Sequence, residues 1–473
     1  MKKKLLYIFS LLLFCAVCLI GCGGINLQDG PAKADPVYGN GGSVVVKGDY
    51  IYFANAFIDY NSIGRYENKY NEDSSKQIYG IYRAKLNDFG LISYNEDGVP
   101  QGAELLVPQV GGYQYSGLYI CGDYLYYTSP YTGDNKNEDV KGLVTFDRVK
   151  LNGSEHQVIH TMTAYSSSCK YSISFIDDVT YITIFDTNSS LQVIKVNGGN
   201  ITKYDGDNQS IFASGVESFA TINQQDISNL TEVKDTSKYV YYTKKDGDFT
   251  TMYRKSLVDP SDKETVVISP TLDSLKVVEV KNNRVYYIQN NNLYSSTFEQ
   301  DSVSTSYLNF EIVDDSTEGV VNYKILNDTI GSGAVDRGIV YVYKAGDSNY
   351  FVSIGNGQEE KFCFSKTKQI TILNVNDNSI YFKVAEDESL YVYNVLSNTE
   401  VKLAANFNTS VLESVTMYDF DSERAFYYST AENTNEKFKY LHMVSLNRDY
   451  SYENAEGDPV GKYIGVIEKT DKK

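Results

Sequence analysis

The sequence predicts an all-β fold made of one short unit repeated around a ring, and three observations predict it. The first is the repeat itself. Gly48-Asp49-Tyr50-Ile51-Tyr52-Phe53 returns as Gly122-Asp123-Tyr124-Leu125-Tyr126-Tyr127, and the same tyrosine recurs at Tyr181, Tyr241, Tyr286, Tyr341, Tyr381 and Tyr427. The second is spacing. Successive tyrosines lie 74, 55, 60, 45, 55, 40 and 46 residues apart, and a blade of four short strands takes roughly 40–50 residues before insertions. The third is patterning. The residue before the tyrosine is apolar in seven copies (Ile51, Leu125, Val240, Val285, Val340, Ile380 and Phe426), with Thr180 the exception. Consecutive apolar positions mark a strand covered on both faces, and a closed ring of blades covers both faces of each. The fold class is therefore a β-propeller of about eight blades, or seven if the weak third copy is not a blade. Two stacked sandwiches are the alternative.

Each copy reads as a hairpin. An Asp, Asn or Gly usually stands three residues before the tyrosine, as a turn entering the strand requires. A second strand follows, as in Ile81-Tyr82-Arg83-Ala84-Lys85-Leu86, Phe146–Leu151, Met252–Leu257 or Leu390–Val395. Short polar loops such as Lys245-Asp246-Gly247-Asp248 and Asn290-Asn291-Asn292 join the two elements, and pairs such as Asn152-Gly153 close them. Composition agrees: 43 Tyr and 21 Phe suit pleated surfaces, and 8 Pro leave strands largely uninterrupted.

The N-terminus carries a different signal. Lys2-Lys3-Lys4 precede an apolar run from Leu5 to Ile20, shorter than the ~20 residues a membrane span needs. A charged start, a short apolar core and a small residue before the cut describe a secretory signal peptide over residues 1–21. Residues 22–42, with Gly23-Gly24, Pro31, Pro36, Gly39, Gly41 and Gly42, read as a flexible tether, 43–468 as the propeller and 469–473 as a polar tail. Of six cysteines, Cys121, Cys169 and Cys363 remain beyond residue 22, far apart and without metal-type spacing; buried small hydrophobes are the expected role, with one disulfide left open. The formal charge of −18 becomes −21 once the three lysines of 1–21 are removed. So acidic a body repels phosphate backbones, which argues against nucleic acid.

Two resemblances follow from these residues. Leu19-Ile20-Gly21-Cys22 resembles the lipobox of bacterial lipoproteins, which implies lipidation of Cys22 and residence on the outer face of a cell membrane, of the Gram-positive type. Gly-Asp-Tyr-Leu-Tyr-Tyr followed by Leu-Tyr and Leu-x-Gly resembles YWTD-type propeller repeats. It is more similar still to propeller domains of unknown function on Gram-positive lipoproteins. The chain departs from the YWTD pattern in lacking Trp and, in most copies, its Thr-Asp pair, so ligand rules do not carry over.

Candidate site residues come from unequal loops. The loops of the first two copies, about Asn55–Gln77 and Pro130–Gly142, are long, and equivalent loops of adjacent blades share a face. They offer Phe57, Tyr60, Arg65, Tyr66, Tyr70, Tyr131, Asp134 and Asn135, an aromatic and polar set suited to sugar rings or peptides. His156 and His160, four apart on a strand, are about 13 Å apart and too distant to share a metal; packing or exposed histidines are expected. Asp205-Gly206-Asp207-Asn208 lacks the rest of a calcium loop and reads as a turn. No phosphate loop, nucleophile elbow or HExxH motif is present, and no cofactor or metal is implied. The expectation is a non-catalytic binding or scaffolding module for a protein, peptide or cell-wall glycan. The alternative is a polysaccharide- or peptide-processing enzyme with carboxylates in the propeller channel.

Overall fold

The computed structural model describes residues 37–39, 41–58, 80–107, 117–130, 144–161, 170–186, 188–197, 199–204, 211–223, 233–299, 303–326, 338–376, 378–405, 407, 418–421, 423–429, 438–447, 452–454 and 457–467. Within them lie eight antiparallel blades: seven have four strands hydrogen-bonded in sequence order, the eighth borrows its outer strand from the start of the chain, and a separate two-stranded sheet pairs Tyr452–Glu453 with Pro459–Val460. Blade 1 is Val44–Lys47, Tyr50–Ala54, Ile81–Lys85 and Glu104–Val107; blade 2 is Tyr119–Cys121, Tyr124–Pro130, Val144–Lys150 and Gln157–Thr161. Blade 3 runs from Lys170–Ile176 to Asn200–Lys203, blade 4 from Val216–Ala220 to Thr265–Thr271, and blade 5 from Leu275–Lys281 to Val303–Glu311. Blade 6 runs from Gly319–Ile325 to Glu360–Lys366, and blade 7 from Ile370–Asn376 to Thr399–Ala404. Blade 8 holds Tyr418–Phe420, Arg424–Ser429 and Phe438–Ser445.

All eight repeat tyrosines fall in second strands and all are buried, as are the residues before them. Each of the seven apolar side chains before the tyrosines contributes roughly 1.5–3 kcal/mol by leaving water. Thr180, the polar exception, sets its hydroxyl 3.2 Å from Cys121 Sγ of blade 2. The third copy, weakest in sequence, is a full blade. Its first two strands pair over seven consecutive residues without a register shift, from Lys170↔Phe185 to Ile176↔Val179. The turns obey the chemistry read from sequence: Asp177-Asp178, Asn282-Asn283 and Asn290-Asn291 all hold positive φ in two-residue hairpin loops.

The apolar clusters show that the ring closes. Separate cores join blades 1 and 2, 2 and 3, 5 and 6, 6 and 7, and 7 and 8, and one larger core spans blades 3 to 5. A further core packs Val44, Phe53 and Tyr82 of blade 1 against Phe426, Tyr428 and Met443 of blade 8. Burial fades outward: in blade 4 the second strand buries Val240 to Thr243, whereas no residue of the fourth strand Thr265–Thr271 is buried.

Blade 8 has a composite fourth strand. Ala56–Ile58, continuing from blade 1, pairs with Phe438–Tyr440, and Lys462–Tyr463 pairs with His442–Met443 on the same edge. Asn55 clasps the two pieces together. Its side-chain N–H donates to Val466 O at 2.7 Å, and its Oδ1 accepts from Val466 N–H at 2.9 Å. Gly465 is needed there because a Cβ would collide with Asn55 Oδ1. Asn55–Ile58, which the sequence assigned to the start of the first long loop, are therefore part of the ring seam.

The stretch before blade 1 also differs from the expectation. Tyr38 exchanges two backbone hydrogen bonds with Ile120, and Gly117 and Leu118 donate to Gly41 and Gly42. Val37 is buried in the core between blades 2 and 3. Any tether thus ends before Val37, because residues 37–42 cover the free inner edge of the first strand of blade 2. Cys121 and Cys363 are buried, as small hydrophobes should be; Cys169 lies outside the described residues.

Candidate binding face

In a ring of up-and-down blades, the turns between second and third strands share one face with the crossings from fourth to next first strand. The other turns share the opposite face. Both long insertions connect second to third strands in neighbouring blades 1 and 2. The flanking strands fix their exits: Ala56–Ile58 runs antiparallel to the strand beginning at Phe438, and Tyr124–Pro130 pairs with Val144–Lys150. Both insertions therefore leave the same face, side by side. Among the sequence candidates, Phe57 has its backbone in the seam, paired with Lys439. Tyr60, Arg65, Tyr66, Tyr70, Tyr131, Asp134 and Asn135 lie outside the described residues, as do Cys22 and the Asp205–Asn208 turn.

Within blade 2 the structure gives the two histidines partners that sequence reading passed over. Asp147, in the third strand of blade 2, is buried and directly opposite Tyr127. One carboxylate oxygen lies 3.2 Å from His156 Nε2, and the other, Oδ1, has no hydrogen-bond partner. The hydrogen bond to Asp147 raises the His156 pKa against a smaller opposing effect of burial. Burial, reinforced by the Asp147 charge, pushes the Tyr127 hydroxyl well above its ordinary range. His160, in the fourth strand, lies 2.8 Å from Asp186, a fully buried residue that follows the second strand of blade 3. A register shift between the third and fourth strands of blade 2 separates the two histidines, and each meets a different aspartate. The one sequence clue was Asp147-Arg148, two adjacent charges inside a strand.

The inner strands carry a second polar set. In blades 4 to 7 the ladder between first and second strands shifts register once, and a polar residue follows each shift: Ser218, Glu279, Asn322 and Asn374. Two of these tie blades together. Val277 N–H donates to Ser218 Oγ at 3.0 Å, and Ile372 N–H donates to Asn322 Oδ1 at 2.9 Å. Glu279 instead pairs with Lys281 at 3.5 Å. Burial and the Glu279 charge raise the Tyr323 hydroxyl to about 12, and burial lowers the Lys324 ammonium against the pull of Glu279. Among the described residues no group of three His, Cys, Asp or Glu is placed to hold a metal. None of their helices is long and apolar enough to cross a membrane.

The fold thus defines the class, an eight-bladed β-propeller. No protein-family model matches the sequence, and no curated protein matches it. Among solved structures the chain is similar to one from a study of two prolyl endopeptidases, at 9% identity and a TM-score of 0.42, over 88% of this chain and 55% of that one. It is similar to TolB from Acinetobacter baumannii at 12% identity and a TM-score of 0.30, over 60% and 64%. It is also similar to a functionally unknown protein from Desulfotomaculum acetoxidans DSM 771 at 12% identity and a TM-score of 0.36, over 70% and 97%. The chain spans just over half of the first and less than two thirds of TolB.

Proposed function

We propose that the chain is an exported lipoprotein, held to the outer face of a cell membrane by a lipid on Cys22. Its propeller is a non-catalytic binding or scaffolding module for a protein, peptide or cell-wall glycan. The observation that carries the binding role is the exit of two long insertions, side by side, from one face of a closed and rigid ring. The scaffold fixes where such loops begin and end, and binding residues concentrate on loops placed in this way. The test is crosslinking in cells followed by recovery of the full-length protein and of a variant trimmed within 60–78 and 131–143. Trimming from residue 55 would instead cut the seam. A partner recovered with the native chain and lost with the trimmed one supports the reading; identical partners for both would remove the insertions from the site.

A further inference from the structure

We infer that the ring is oriented at the membrane, with the turns between first and second strands facing the bilayer and the two insertions facing away. This rests on the proposed anchor at Cys22. Residues 37–42 run antiparallel to the first strand of blade 2: Gly42 lies beside Leu118, at the insertion end of that strand, and Tyr38 beside Ile120. Val37 is therefore next to the opposite end, where Gly122-Asp123 turn into the second strand. Side chains mark the same end independently. Lys47, the last residue of the first strand of blade 1, is buried, donates to Gly122 O at 2.6 Å and sits 5.3 Å from the Tyr38 ring. The chain thus enters on the face that does not carry the insertions.

Residues 23–36 are 14 in number and reach at most about 50 Å. Strands of about seven residues make the ring roughly 23 Å deep. With the ring seated on its entry face, the insertions stand that much farther from the lipid.

The absence of Trp from the sequence makes single-donor energy transfer a direct test. Phe89, 64% exposed, lies between the third and fourth strands of blade 1 on the entry face; Phe249, 48% exposed, opens the third strand of blade 4 at the insertion face. Phe89→Trp and Phe249→Trp are each made in the lipidated full chain, with and without deletion of residues 25–33. Each is bound to phosphatidylcholine–phosphatidylglycerol vesicles carrying a dansyl headgroup lipid. With the shortened tether, transfer from the Phe89→Trp donor is expected to exceed that from Phe249→Trp at least twofold. Equal transfer, the reverse order, or no transfer from either would overturn the orientation. Vesicle flotation and the mass of the Cys22 peptide are read on the same samples. A chain that floats with the wrong order refutes the orientation alone, whereas one that neither floats nor carries lipid refutes the anchor and the inference with it.

Discussion

Blades 1 to 4 and blades 5 to 8 present the same tyrosine in the same strand but face it with different chemistry. Directly across from it on the third strand stand Arg83, Arg148, Lys195 and Arg254 in the first half. Ser295, Ser353, Val392 and His442 stand there in the second. The arginines do more than pair locally. Arg83 is 1% exposed, bonds Glu104 at 2.9 Å and reaches Leu151 O of blade 2 at 3.2 Å, while its guanidinium lies 5.2 Å from the Tyr50 ring. Arg254 repeats the pattern by donating to Phe298 O of blade 5, over Tyr239. Arg148 lies 4.1 Å from the Tyr124 ring and donates to the Tyr126 hydroxyl at 3.3 Å. In the second half no arginine faces the tyrosine, and blades 6 and 7 are tied by other groups: Asn322 accepts from Ile372 N–H, Lys361 donates to Val395 O at 3.1 Å and the Tyr393 hydroxyl donates to Cys363 O at 3.0 Å. The lesson is that the repeat specifies a strand and leaves open how each blade is fastened to the next.

This contrast is breakable. The largest effect is expected from Arg83→Ala, which strands buried polar groups at the junction of blades 1 and 2 and should lower stability by about 3 kcal/mol. Ser295→Ala, at the equivalent place in blade 5, should cost no more than about 1 kcal/mol. Urea unfolding of the two variants against the native chain decides it, and equal losses would abolish the distinction.

His442 sharpens the second half of the comparison. It is buried, packs on Tyr427 at 5.2 Å, and burial pulls its pKa from 6.5 down to about 4. The folded state therefore holds it neutral, while the unfolded chain binds a proton below about pH 6.5. The unfolded state gains protons first, so stability falls as pH drops from about 6.5 towards 4. Between pH 7 and pH 4.5 the native chain should lose about 2–3 kcal/mol more than His442→Gln. Parallel urea curves at the two pH values would measure that difference, and its absence would remove His442 as the cause.

Two smaller effects test the seam and the odd blade. Asn55→Ala removes both clasp hydrogen bonds and should cost about 2 kcal/mol. Its amide-exchange protection should drop first in Phe438–Ser445 and Lys462–Tyr463; uniform loss around the ring would argue against a local clasp. Thr180→Val restores the apolar consensus at the price of the contact with Cys121, and should change stability by less than about 1 kcal/mol in either direction. A larger loss would show that the hydroxyl holds blades 2 and 3 together.

The legible part of the molecule was the part with local causes. Tyr181 aligns with the repeat despite the polar Thr180 before it, because Asp177-Asp178 sets the turn and the following run from Thr180 to Ile184 is buried on both faces. The illegible part involved partners distant along the chain. Phe57 was read as loop because its strand partner, Lys439, lies on the last blade. Residues 37–42 were read as tether because glycine-rich composition does not reveal that Gly41 lies against Gly117. Asp147 and Asp186 were missed because an aspartate in or after a strand has no sequence mark of the histidine it will meet.

By itself, then, the sequence determined the all-β class, the repeat of about eight blades and the hairpin turns. Each depends on residues a few positions apart, where side-chain size and turn chemistry act directly on the backbone. Tertiary structure alone decided the settled count of eight, the composite seam between Asn55 and Val466, the charged and neutral halves of the ring, and the common face of the two insertions. Those features exist only once the two ends of the chain have met, since closure brings together groups that no local rule places side by side.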